Sequence, residues 1–201
     1  MVQVTTLVAL LIGFVRGHGY EPSVEDVARY DRLAHAIETV VTDPFESLPF
    51  EGPGRREASA VLFTAIAAHE SYGRADVLDC RVMGDHGRAA GAFQVQRGVH
   101  WERHSKAEIC SSLELQTRIA LHAMMLDRLT TRGWEAAVHA YATGSPHLET
   151  PGARGIAQTF RSFVRETGLK VRLGWADAVE EPEALRVVPA PSSETASADE
   201  G

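Results

Sequence analysis

Between Arg56 and Tyr72 the residues Ala58, Val61, Leu62, Ala65, Ile66 and His69 recur at spacings of three and four. That period draws one apolar stripe along a helix. Other segments keep the same period. Ser23 followed by Asp26 reads as a capping box opening a helix with Val27, Leu33, Ile37, Val40 and Val41 on one face. Ser111 and Ser112 cap a long helix to Thr131, with Leu115, Ile119, His122, Leu126 and Leu129 as its stripe and His122 as a core histidine. A short helix from Trp134 to Tyr141 follows Gly133. A last one from Gly155 to Glu166 turns Ile156, Phe160, Phe163 and Val164 inward. One stretch breaks this pattern: Met83 to Val95 is punctuated by glycine and ends in the β-compatible "GAFQV", so it reads as a hairpin or irregular ribbon.

Between these elements, "TDPFESLPFEGPG" (42–54) is an irregular arm or linker, and "TGSPHLETPGARG" (143–155) is a loop. The expected organisation is an N-terminal helical segment with its linker over 1–54, a catalytic domain over 55–170, and an extension over 171–201. From about 180 that extension is rich in Pro, Ser, Glu and Ala and is read as disordered. With 201 residues and 44% hydrophobic content the chain can build one proper core. Its net charge of -7 gives a nucleic-acid partner no electrostatic support.

Leu7 to Val15 has the length of a signal-peptide apolar region, but no Lys or Arg precedes it and no small-x-small site follows. It is too short to span a bilayer, which takes ~20 apolar residues. The expectation is an N-terminal helix packed on the domain or on a docking partner. The two cysteines, Cys80 and Cys110, do not form a CxxC pair, and a structural zinc site needs more ligands. They are either one disulfide or two free thiols, and the sequence leaves both open.

The chemistry concentrates at Glu70. It lies four residues after Ile66, on the margin of the buried stripe, just before the helix runs out at Gly73. Partial burial disfavours the charged carboxylate and raises its pKa. A carboxylic acid that stays protonated near neutrality can donate to a leaving oxygen, and the glycosidic bond is a usual recipient. His69 beside it is a second influence on that pKa. Gly84, Gly87, Gly91 and Gly98 follow, and glycine lets a backbone lie close to a ligand. Gln94 offers a sugar both a donor and an acceptor.

Glu70-Ser71 at a helix end, followed by Gly84-Asp85, Gly87, Ala89, Gly91, Phe93, Gln94 and Val95, resembles the lytic transglycosylases of the soluble type. It is also similar to the goose-type and invertebrate-type lysozymes. The resemblance covers roughly Glu57 to Glu166. Downstream, "YATG" keeps Tyr141 and Gly144 of a Tyr-Asn-x-Gly pattern but has Ala142 where Asn is usual.

The resemblance implies a mainly α, lysozyme-like domain with a small β-hairpin flanking a glycan-binding groove. The implied substrate is the peptidoglycan glycan strand, cut between N-acetylmuramic acid and N-acetylglucosamine. Glu70 would be the single catalytic acid and base. Ser71, Gly91, Phe93, Gln94 and Tyr141 would contact the sugar, and no cofactor is implied. A hydrolase would need a second carboxylate. Asp76, Asp79 and Asp85 are candidates. Asp85 is the best placed, with a plain turn residue as its other reading.

Two further readings compete. His69-Glu70 begins a zincin motif, but Gly73 stands where the second histidine belongs. His100 and His104 are one helical turn apart, yet Glu102 between them is not at a general-base position, so no metal is expected there. A non-catalytic peptidoglycan-binding or structural module of a phage or secretion apparatus is the other alternative. The implied site of action is the periplasm or the cell exterior, with delivery by a phage-type or injection route.

Overall fold

The computed structural model describes residues 3–97, 103–128, 133–145 and 147–169. The extension over 171–201, and with it the expected disorder, lies outside the described residues, as do Gly98, His100, Glu102, Leu129 and Thr131. The described residues are mainly helical. They form α1 (Val4–Gly17), α2 (Val24–Thr42), α3 (Arg55–Ser71), α4 (Ala75–Leu78), α5 (Lys106–Ser111), α6 (Leu113–Arg128), α7 (Trp134–Thr143) and α8 (Pro151–Thr167). A two-stranded antiparallel sheet, β1 (Ala89–Ala90) and β2 (Val95–Gln96), sits between α4 and α5 in the chain. It pairs Ala89 with Gln96 and Ala90 with Val95.

α3 is the centre. Ala58 to Ala68 are buried without interruption, on every face and not along one stripe. The polar side of the expected pattern can be buried because its hydroxyls are satisfied within the helix. Ser59 Oγ donates to the Arg55 carbonyl at 2.7 Å and Thr64 Oγ1 to the Ala60 carbonyl at 2.8 Å. α1, α2 and α8 pack around α3, and α6 and α7 complete the bundle through α2 and α8. One hydrophobic cluster runs from Leu7 to Phe163. α1 contributes Leu7, Leu10, Leu11 and Val15 to it, and no helix among the described residues is long and apolar enough to cross a membrane. The irregular arm before α3 contributes Phe50, which stacks on Phe160 at 5.8 Å.

The Ser23–Asp26 capping box is present at the start of α2. Asp26 is also buried. It accepts from the Tyr20 hydroxyl at 2.7 Å, and Arg29 links it to Asp79 beyond α4.

Several expected details are corrected. Ser112 caps α6 as expected, accepting from the Leu115 N–H at 3.1 Å, but Ser111 ends a separate helix, α5. α5 has its own capping box, Ser105 with Glu108. The buried face of α6 is wider than the expected stripe: beside the expected Ile119 it carries Gln116, Thr117, Ala120, Leu121, Ala123 and Met124, while Leu126 is exposed. His122 is not a core histidine: it is exposed, with Nε2 2.9 Å from a Glu46 carboxylate oxygen. Polar Gln116 and Thr117 disguise this face, because both find partners inside the protein. Finally, α8 begins at Pro151, not Gly155. Thr150 caps it by accepting from the Ala153 N–H at 3.2 Å, and proline suits a first turn, where no N–H is required.

Candidate active site

Glu70 occupies the last turn of α3, where the chain reverses through Tyr72 and Gly73, both at positive φ. The buried Tyr30 hydroxyl donates to the Gly73 carbonyl at 2.9 Å and fixes that reversal. Across from Glu70 lies the hairpin. It is preceded by a single turn of 3-10 helix, Asp85–Gly87, closed by a bridge between Gly84 and Ala89. Together they bound a cleft of about 160 Å³ lined by Glu70, Asp85, Ala89, Gln94, Gln96, Tyr141 and Ala142.

Burial pushes the Glu70 carboxyl up to about 7, and desolvation is the whole cause. The carboxyl makes no hydrogen bond or ion pair among the described residues. The expected influence of His69 is absent. That ring turns towards α8, where the Gly155 backbone leaves room for Nε2, and it lies 5.6 Å from the Tyr72 ring. Its own pKa is lowered, first by burial and then by His18.

The hairpin is held by two glutamines. The Gln116 side chain is wholly buried; its oxygen accepts from the Ala92 N–H at 2.8 Å and its nitrogen donates to the Ile109 carbonyl at 2.9 Å. This clamps the hairpin to the α5–α6 junction. Gly91 sits at φ +71°, and a Cβ there would lie 2.1 Å from the Gln116 side-chain oxygen. The Gln94 amide donates to the Gly91 carbonyl at 2.9 Å, and its oxygen lies over Gly84, where a Cβ would stand 2.0 Å away. The space left by these two glycines is therefore filled by the protein's own glutamines, not held open for a ligand.

α7 closes the cleft from the remaining side. The Tyr141 hydroxyl donates to the Phe93 carbonyl at 2.6 Å. The Phe93 ring is fully buried, edge-on to Phe63 at 6.2 Å. Ser71 is buried too: its hydroxyl donates to the Ala67 carbonyl at 2.6 Å and accepts from the Gly73 N–H at 3.2 Å. Of the residues singled out in the sequence, Glu70, Asp85, Gln94 and Tyr141 thus meet at the cleft. Ser71, Phe93 and Gly91 instead build its walls from behind. Ala142, where the Tyr-Asn-x-Gly pattern departs, lines the cleft; Gln96 also lines it and Gln116 anchors it without any motif to mark them. The one signal for Gln116 is a long polar side chain inside an otherwise apolar helix face.

Asp85 is 43% exposed on its side chain, with φ +44°, and among the described residues its one ionic neighbour is Arg88 Nε at 4.0 Å. Its carboxylate caps no backbone N–H of the turn among the described residues. Cys80 and Cys110 form a disulfide with Cα atoms 5.6 Å apart, and the loop it closes contains the whole hairpin. Among the described residues no three His, Cys, Asp or Glu side chains gather as a metal site. His100 and Glu102 fall outside the described residues.

Chemically, the cleft offers one partly buried carboxyl whose pKa is raised to about 7, faced by an amide and a second, solvated carboxylate. Such a group can give a proton and take one back at the same pH. Comparison with family models, with curated proteins and with solved structures finds no match.

Proposed function

We propose that this chain cleaves the β-1,4 bond between N-acetylmuramic acid and N-acetylglucosamine in peptidoglycan, as a lytic transglycosylase. The observation that carries the reading is Glu70: a partly buried carboxyl, unpaired among the described residues, with its pKa raised to about 7, at the wall of a cleft it shares with Gln94 and Tyr141. Glu70 donates its proton to the leaving O4 of N-acetylglucosamine as the C1–O4 bond breaks. The resulting carboxylate takes the proton of the muramyl C6 hydroxyl while O6 bonds to C1. The product is a 1,6-anhydro ring, and Glu70 ends protonated as it began. This sequence needs no second carboxylate and no water. Gln94 holds the sugar by its amide. The disulfide supports action in an oxidising compartment outside the inner membrane. The apolar face of α1 is packed within this chain, so the reading requires no docking partner.

One observation favours a second reading. Asp85 reaches the same cleft with its carboxylate uncommitted to the turn, and a hydrolase would use such a group to hold water or steady the oxocarbenium ion. Digestion of purified glycan strands followed by mass spectrometry separates the two: anhydro-muramyl ends mark the transglycosylase, reducing ends the hydrolase. If wild type and Glu70→Gln both bind strands and neither cuts them, the chain is a binding module.

A further inference from the structure

A cavity of about 400 Å³ lies between α2, the end of α4 and the α5–α6 junction. It shares no lining residue with the Glu70 cleft. Cys110 lines it, together with Arg32, Asp79 and Glu114. The other half of the disulfide does not: Cys80 is buried, at 7% exposure. The bond therefore presents one of its two cysteines, Cys110, to a molecule arriving from solvent.

Of the three charged side chains at this cavity, two are taken. Asp79 is held by Arg29 at 3.2 Å and Glu114 by Arg118 at 3.0 Å. Arg32 is exposed and makes no hydrogen bond or ion pair among the described residues. An uncommitted guanidinium beside a disulfide favours the approach of a thiolate, which is the form that attacks such a bond.

Cys110 also belongs to the element that anchors the hairpin. α5 has six residues, too few to hold a helix without tertiary contacts. Ile109 is its one buried residue, so Ile109 and the Cys80–Cys110 bond fasten it to the domain. The Ile109 carbonyl accepts from the Gln116 side-chain nitrogen at 2.9 Å, and the Gln116 oxygen accepts from the Ala92 N–H at 2.8 Å. Ala92 stands two residues before Gln94, and Cys80 five residues before Asp85. Both Gln94 and Asp85 line the cleft, so its hairpin wall is tied to α5 from two directions.

We infer that the Cys80–Cys110 disulfide is a redox switch on the Glu70 cleft, opened by a dithiol that enters at Cys110. The inference rests on the glycan-cleaving reading above and names its regulation. One thiolate of the dithiol bonds to Cys110 Sγ as the protein's S–S bond breaks, and Cys80 leaves as a thiolate that takes a proton. The second thiolate then bonds to the first sulfur of the same dithiol, and Cys110 leaves and is protonated in turn. The dithiol ends as a disulfide, having given two electrons and two protons. With the bond open α5 keeps only Ile109, Gln116 loses a fixed partner, and the hairpin residues of the cleft lose their register. Cleavage is held low in a reducing compartment and turned on where disulfides persist.

The test uses the full chain in three states: oxidised, reduced with dithiothreitol, and reoxidised in air. Each is assayed at a temperature where circular dichroism shows the reduced form folded. On reduction kcat/KM for purified glycan strands should fall by at least about tenfold, since a small misplacement at a site can cost about a hundredfold, and it should return on reoxidation. Hydrogen exchange at the Ala92 amide is followed alongside because it needs no substrate, and it should speed up by about tenfold. Arg32→Glu should keep the oxidised activity and slow reduction by dithiothreitol about fivefold, the effect of about one unit charge at contact distance in water.

Lost cleavage with faster Ala92 exchange supports the switch. Equal cleavage in both states overturns it and leaves glycan cleavage standing, and so does lost cleavage with Ala92 exchange unchanged. Faster Ala92 exchange in a protein that cuts no strand in either state keeps the switch and sinks the glycosidase reading. Unchanged exchange without cleavage removes both. An unchanged reduction rate in Arg32→Glu overturns entry at Cys110. A reduced form that is unfolded at every temperature overturns the switch too, because the bond would then hold the whole fold.

Discussion

The Tyr141 hydroxyl donates a 2.6 Å hydrogen bond to the backbone carbonyl of Phe93, the residue just before Gln94. It is a direct tie between α7 and the hairpin, made at the edge of the Glu70 cleft. Gln94 has positive φ (47°), so its placement depends on the backbone around it being held. Tyr141→Phe keeps the ring and removes the donor. It should cost about 1–2 kcal/mol of stability, the range for leaving a buried acceptor unpaired. Strand cleavage should fall by more than that loss of folded protein explains, because Gln94 loses its register. Thermal melts and kcat/KM measured side by side check this. A variant that melts lower yet cuts at the wild-type rate would mean the bond serves stability alone.

Gly91 and Gln116 form a second coupled pair. Gly91→Ala meets two obstacles: φ of +71° and a Gln116 oxygen 2.1 Å from the new Cβ. The left-handed backbone alone costs about 1–2 kcal/mol for a residue with a Cβ. Overlap with a fully buried side chain adds to it, so about 3 kcal/mol in all is expected. Gln116→Ala removes the overlap but strips the Ala92 N–H of its acceptor. The double variant should therefore be more stable than the sum of the two single losses allows, by more than about 0.5 kcal/mol, the usual bound for independent sites. Strict additivity in denaturant melts would show that the two groups do not meet.

These pairs show what the sequence can and cannot carry. Helix positions are legible wherever the apolar period repeats, and the Ser23–Asp26 box places the start of α2 correctly. The degree of burial is not legible. α3 hides Ser59 and Thr64 because each hydroxyl finds a carbonyl one turn back, an arrangement that a hydropathy pattern reads as a polar face. The same blindness narrows the expected face of α6, where Gln116 is polar by type and buried by role. At the cleft, Glu70, Asp85, Gln94 and Tyr141 can be grouped in advance by motif order. The glycines mislead, since a missing Cβ does not say whether a ligand or a neighbouring side chain will use the space. The disulfide needs a fold: a sequence separation of 30 is compatible with any geometry until α4 and α5 are brought together.

That disulfide should matter to stability and to the cleft together. Closing a loop of 30 residues restricts the unfolded chain by about 3–4 kcal/mol in the entropic account. Replacing Cys80 and Cys110 together by Ser should lower Tm by roughly 10 °C, taking about 2–4 °C per kcal/mol for a chain of this size. Because the loop encloses the hairpin, proteolysis of the folded protein should then begin between Cys80 and Cys110. Limited digestion with and without reductant locates the first cut. An unchanged melting point on reduction would remove the bond from the stability of the fold.

The partly buried acid gives the sharpest dependence on pH. Glu70 has a folded pKa of about 7 against an ordinary value of 4.5, raised by desolvation. A raised acid pKa means that the folded state holds its proton more tightly than the unfolded chain. Below about pH 4.5 both states are protonated and the acid costs nothing. Between there and about pH 7 the unfolded chain alone ionises, and stability declines; above about 7 the loss levels off at about 3 kcal/mol. Glu70→Gln has no such proton to lose. Denaturant melts of the two proteins from about pH 4 to about pH 8 should therefore diverge in favour of the variant as pH rises, then run parallel. The other titrating groups are common to both proteins and cancel in the difference. If Glu70 is the acid that protonates the leaving sugar, wild-type cleavage should also fall away above about pH 7, where that proton is gone. A stability difference that stays flat across the whole range would place Glu70 in water, and with it would go the reason for giving this residue the proton.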